Sequence, residues 1–255
     1  ITTHYYENMV ASSMYSVIHE GGHAIYELNT GDDLIGTTMA GGASMGIHES
    51  QSRFYENIIG RSEAFISLIF PKIKELFPEQ FENVSAHDFY LAVNKAEPSL
   101  IRTEADELTY SMHIMVRYEI EKRLMDGSLS TKDLPNEWNR LYKEYLGIDV
   151  PCDSMGCLQD SHWSGGALGY FPSYSLGSAY GAQFLHKMKQ DIDIDKLVSE
   201  HRIDEVTAWL TEKIHKYGML LTPAQLIENA CGEEFNADYY IEYLTEKYNK
   251  IYDLK

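Results

Sequence analysis

The stretch that most constrains this 255-residue chain is Ser16-Val17-Ile18-His19-Glu20-Gly21-Gly22-His23-Ala24. It contains His-Glu-x-x-His, and the four-residue spacing predicts a helix with both imidazoles on one face. So placed, both can bond one metal ion at roughly 2.0–2.1 Å, the usual zinc–nitrogen distance. Glu20, next to the first histidine, projects toward the open side of such an ion, where a water would sit. Two capped or core histidines on an ordinary helix are the bland alternative. A third ligand elsewhere in the chain decides between them.

Around the motif, Val10, Met14, Val17, Gly21, Ile25 and Leu28 recur at three- and four-residue intervals, predicting a helix from Tyr6 to Asn29. Gly21 and Gly22 inside it each cost about 1 kcal/mol relative to Ala, which makes sense if another backbone packs closely there. No Lys or Arg precedes Arg53, so the first fifth of the chain is expected to be largely buried. Residues 30–47 are rich in Gly, Thr, Ala and Met, and they predict one or two short irregular strands, with a plain loop as the alternative. Such a strand beside the metal helix would offer backbone groups to an extended peptide.

His48-Glu49-Ser50-Gln51 then opens a second long helix, predicted to run to near Pro71. Glu49 follows His23 by 26 residues, enough chain for this helix to return to the first. A carboxylate there completes a His, His, Glu set and leaves the fourth position to water. Alone, a Glu in a first helical turn is ordinarily a dipole partner; beside the histidine pair, ligation is favoured. Farther on, Ser85–Leu124 is predicted mostly helical with a break at Pro98, and Asp133–Leu146 is a further helix. Arg102, just after that break, reads in isolation as a surface ion-pair partner. Residues 151–181 are the longest irregular segment, dense in Gly and aromatics, the kind of loop that often carries function. Helices follow beyond Ala182.

A formal charge of −18 argues against nucleic acid or an anionic membrane as partner. No window approaches the eighteen or so apolar residues of a membrane span. The first residues lack the basic and apolar regions of a signal peptide, and they lack an initiator Met, as in a processed chain or a fragment. Three cysteines, Cys152, Cys157 and Cys231, suggest reduced thiols and a cytoplasmic protein; with no second cysteine pair nearby, Cys152 and Cys157 read as free thiols rather than metal ligands.

Several separated stretches together resemble the carboxypeptidase Taq family of metallocarboxypeptidases. They are His19-Glu20-Gly21-Gly22-His23, His48-Glu49-Ser50-Gln51, Ile101-Arg102 with Ala105-Asp106, Gly156-Cys157-Leu158-Gln159-Asp160-Ser161-His162-Trp163, and Gly169-Tyr170-Phe171-Pro172-Ser173-Tyr174. Their order and spacing run across almost the whole chain. The resemblance implies a mainly α-helical zinc-peptidase fold with a small β-sheet beside the metal site, residues 1–255 forming a single catalytic domain. It further implies removal of single residues from peptides with a free C-terminus, and a homodimer. Zinc, or cobalt or another divalent ion, would be held by His19, His23 and Glu49, with Glu20 as general base. His162 and Tyr174 would hydrogen-bond the oxyanion, and Tyr170 is the rival tyrosine. Arg102 would bind the terminal carboxylate, with His48, Gln159 and Tyr170 as further substrate contacts and Asp106 and Asp160 orienting the site. Ile1-Thr2 would be the tail of the family's Asp-x-Arg-x-Thr motif, so a fragment of a longer groove-bearing protein is expected. A metallo-endopeptidase or dipeptidase with the same metal site is the alternative enzyme. A catalytically silent zinc-binding helical protein is the alternative of another class.

Overall fold

The helical periods become eleven α-helices among the described residues: α1 (Val10–Leu28), α2 (Met45–Arg53), α3 (Glu63–Leu76), α4 (Ala86–Val93), α5 (Glu107–Met125), α6 (Leu134–Leu146), α7 (Pro172–Asp191), α8 (Ile194–Ser199), α9 (Ile203–Lys213), α10 (Pro223–Cys231) and α11 (Asp238–Tyr252). This computed structural model describes residues 1–3 and 5–254. The chain divides into two compact units, one of residues 1–94 and 176–255, the other of residues 95–175.

In the first unit, Ile47 and Phe54 from the α2 region are fully buried against Phe184 and Met188 of α7, Val206 and Leu210 of α9, and Leu226 of α10. Burying each such side chain contributes about 1.5–3 kcal/mol, so α2 is fixed at both ends by the main core. Two glycines let backbones close on it. A Cβ on Gly22 would lie 2.7 Å from the Cα of Ser52, and one on Gly177 would lie 2.8 Å from the carbonyl carbon of Glu49. The reason expected for glycine in α1 therefore holds at Gly22; Gly21 has nothing within 4 Å.

In the second unit, α5 and α6 pack through Val116, Ile120, Trp138, Leu141 and Tyr142, with Trp138 and Tyr142 stacked at 5.0 Å. Helix α6 ends at Gly147, whose φ of 73° is the left-handed stop that glycine supplies without strain.

Four expectations need correction. The small β-sheet beside the metal site is absent: no strand exists among the described residues. Residues 30–47 close local turns instead, through Leu34 N–H to Gly31, Ile35 to Asp32, Thr37 to Leu34 and Ala40 to Thr37, and Gly36 and Gly41 take φ of 81° and 100°. A backbone that satisfies its donors three residues back has none left for a ladder. Nor is the first fifth largely buried, since Ile1 and Tyr5 are each 79% exposed and Leu28 is 82% exposed. The long second helix is three pieces: α2, a π-helical turn over Phe54–Ile59, and α3 restarting from its Ser62 cap. Finally, the irregular segment ends at Pro172, which opens α7 ten residues earlier than the glycines and aromatics suggested. No helix of the described residues is long and apolar enough to cross a membrane.

Candidate active site

Helix α1 presents His19 and His23 on one face, as the spacing predicts, with ring centroids 4.8 Å apart. Helix α2 brings Glu49, 3% exposed, to the same point: its Oε2 lies 3.5 Å from His19 Nε2 and 3.8 Å from His23 Nε2. One donor atom from each residue falls within 4.8 Å of the others, and this is the one such His/Cys/Asp/Glu group among the described residues. Two ligands, each about 2.0–2.2 Å from a tetrahedral ion, stand roughly 3.3–3.6 Å apart. The donor set therefore fits a divalent ion in chemistry, and its glutamate-to-histidine separations, 3.5 and 3.8 Å, lie at and just beyond that spacing.

Each imidazole turns its other nitrogen outward to a partner. His19 Nδ1 is 2.8 Å from Glu56 Oε2. His23 Nδ1 is 2.6 Å from His48 Nδ1, and His48 Nε2 is 2.7 Å from Glu27 Oε1, which also accepts the Gly42 N–H. With Nδ1 so occupied, Nε2 of both histidines is left facing Glu49. Burial, helped by the neighbouring His19 and His48, pushes the His23 pKa down to about 3, which keeps it in the neutral form that binds metal. Glu56 belongs to the π-helical turn, and nothing in its spacing from His19 pointed to it. Burial alone would raise its pKa, but Arg53, the His19 hydrogen bond and Arg61 outweigh that and hold it at about 2. Glu20 is half-buried on α1 beside His19.

The rest of the His-Glu-Ser-Gln stretch is occupied in holding α2. The Ser50 hydroxyl donates to the Ile47 carbonyl, and Gln51 meets His215 Nε2 at 2.8 Å from 164 residues away. His215 is fully buried and was not foreseen; a lone histidine in a late helical region carries no signal of its partner.

The remaining expected residues lie in the second unit. Asp160 is clamped between two guanidiniums. Arg102 Nε and Nη2 donate to its Oδ1 at 3.0 and 2.8 Å, and Arg117 Nε donates to its Oδ2 at 2.7 Å. Burial works against the charged carboxylate, yet the two arginines hold its pKa below the ordinary aspartate value. Arg102 Nη1 also donates to Tyr110 Oη, and the residue is only 6% exposed, which replaces the surface ion pair read from the sequence alone. Gln159 Oε1 accepts from the Arg102 backbone N–H and from Arg117 Nη2, both at 2.9 Å. Asp106 caps α5, accepting the Thr109 N–H at 3.0 Å. His162 Nε2 lies 3.1 Å from Tyr174 Oη, while its buried Nδ1 makes no hydrogen bond and sits 3.9 Å from Asp160. Tyr170 packs on both rings, at 5.4 Å from His162 and 5.3 Å from Tyr174. Arg117, fully buried, was missed; its one visible signal is a place on the α5 face that also carries Tyr110, Ile114 and Ile120.

Two histidines on one helix and a glutamate from the next are donor types that suit a metallopeptidase centre, and each histidine is backed by a partner at its other nitrogen. The chain belongs to the carboxypeptidase Taq (M32) metallopeptidase family, which it matches over residues 1–248. It is 49% identical to carboxypeptidase 1 of Bacillus subtilis over 99% of its own length and 50% of that protein. It is 43% identical to thermostable carboxypeptidase 1 of Pyrococcus furiosus over 97% of its length and 50% of the relative. The crystal structure of M32 carboxypeptidase from Deinococcus radiodurans R1 superposes with a TM-score of 0.95 at 39% identity, covering 99% of this chain and 51% of that one. The chain thus spans about half the length of the curated relatives it matches. Membership of a metallopeptidase family implies a divalent metal.

Proposed function

We propose that this chain carries the metal centre of a carboxypeptidase that removes single residues from peptides with a free C-terminus. The observation that carries the reading is the convergence of His19 Nε2, His23 Nε2 and Glu49 Oε2 in a family of metallopeptidases. Zinc is the proposed ion, with cobalt or another divalent ion as substitute. When bound, it supplies Lewis-acid chemistry, acidifying water and polarising a carbonyl. Glu20 takes the attacking water's proton and passes it to the leaving amine. His162 and Tyr174 hydrogen-bond the oxyanion, a role supported by the resemblance of their motifs. Homodimer assembly, which rests on that resemblance alone, and a cytoplasmic location, which rests on the sparse, odd set of three cysteines, belong to the same proposal. An intact Glu20 counts against a silent zinc protein, since a structural site has no use for a base.

The direct test is metal content. His23→Ala and Glu49→Ala should each abolish stoichiometric metal binding, because two remaining protein ligands hold zinc poorly. Elemental analysis after gel filtration reads the result, and a full complement of metal in either variant sinks that ligand's assignment.

Arg102 is the proposed receptor for the substrate's terminal carboxylate. Three of its N–H groups already engage Asp160 and Tyr110, which favours a second reading in which it holds the segment bearing Asp160 and His162. A charge-assisted contact contributes about 1.5–3 kcal/mol, so amidating the peptide terminus should lower kcat/KM roughly ten- to a hundredfold. Arg102→Ala should erase that difference. An acid preference that survives the substitution moves Arg102 to the second reading, and an amide cut as fast as the acid ends the exopeptidase assignment.

A further inference from the structure

His19 is addressed by two carboxylates from one continuous stretch of chain. Glu49 faces its Nε2 from α2, and Glu56, seven residues on, meets its Nδ1 at 2.8 Å from the π-helical turn Phe54–Ile59. π turns are rare and occur frequently at functional sites. The Glu56 carboxylate is itself held, with Oε2 3.5 Å from Arg53 Nη1 and Oε1 3.8 Å from Arg61 Nη2. Arg61 is in turn tied to Asn57 Oδ1 at 3.1 Å and to the Val93 carbonyl, and it lies over the Tyr15 ring. The other histidine has a different backing: His23 leans on the imidazole of His48, whose own carboxylate partner, Glu27, is 47% exposed.

We propose that Glu56 is a positioning residue for the metal centre, accepting the Nδ1–H of His19 so that the ring keeps its Nε2 lone pair aimed at the ion. The inference rests on the metal-site reading above. The π turn fits this role because it delivers the Glu56 carboxylate to His19 Nδ1 only seven residues after Glu49, with Arg53 3.5 Å from the same Oε2. A partner of this kind restrains ring rotation and raises the basicity of the ligating nitrogen, and its loss typically weakens metal binding by 10–100-fold.

The experiment compares zinc affinity of metal-free wild type, Glu56→Gln and Arg61→Met by competition with a chromophoric chelator, with circular dichroism as the check on folding. Glu56→Gln should weaken zinc by about 10–100-fold with its helical signal intact, whereas Arg61→Met, which leaves the Glu56–His19 bond and the Arg53 pair in place, should stay within about threefold of wild type. Equal weakening by both variants would reduce Glu56 to a general structural role and overturn the proposal, as would wild-type affinity in Glu56→Gln. A second readout does not depend on any Glu56 variant folding. Nitrogen-15 spectra of the zinc-loaded wild type should show His19 ligating through Nε2 and carrying a slowly exchanging proton on Nδ1; zinc on Nδ1 would refute the assignment. A wild type that binds no divalent ion sinks the metal-site reading itself, while unchanged affinity in Glu56→Gln sinks only Glu56.

Discussion

Glu20→Gln is expected to retain bound metal and to lose turnover by roughly 10²–10⁴-fold, the scale of general-base catalysis. Glutamine has the same shape but cannot take the proton of the attacking water. Its neighbours in the sequence have other tasks: His19 is a proposed ligand, and Gly22 admits the backbone of α2 at Ser52. Being one position from His19 on α1, Glu20 points about 100° around the helix from that ligand, which removes it from the ligand set and leaves it beside it. Metal content and steady-state turnover, measured on a form as long as the relatives if the present chain is inert, separate the outcomes. Near-normal turnover would remove Glu20 from the mechanism. Loss of the metal would mean that it acts on the ligands instead.

The second large effect concerns stability. Asp160→Asn leaves Arg102 and Arg117, whose side chains are 7% and 0% exposed, without the carboxylate they share. Breaking a buried ion pair from one side costs about 3–5 kcal/mol, because the remaining charges stay desolvated and uncompensated. Denaturant unfolding of the variant should show a loss of that size; a loss under about 1 kcal/mol would mean the guanidiniums find water. The pH dependence has a definite sign. Asp160 is held below its unfolded value of about 3.9, so its contribution is complete above that pH and fades as pH falls through the lower folded value. Wild type should therefore lose stability below about pH 4 more steeply than Asp160→Asn, which has no carboxylate to protonate there.

What could be read from the residues was whatever a local period or a short spacing encodes. His19 and His23 are four apart, and a helix puts them together whatever surrounds it. Glycine inside a helix announced a close backbone approach, and Gly22 has one. The helix expected at Asp133–Leu146 is α6, Leu134–Leu146, whose apolar positions Trp138 and Leu141 share one face. The strand expected at residues 30–47 failed because strands need partners, and composition alone does not name one.

By itself, then, the sequence determined a helical chain, a histidine pair on one helix face, and a glutamate far enough along to return to it. Only the tertiary structure decided what stands behind those residues. Glu56 meets His19 across 37 residues, Arg117 meets Asp160 across 43, and His215 meets Gln51 across 164. In each case a charged or polar side chain is taken out of full contact with water by chain that lies far off in sequence. Which partner makes that burial tolerable depends on how helices distant in sequence pack. Nothing in the spacing along the chain encodes that packing.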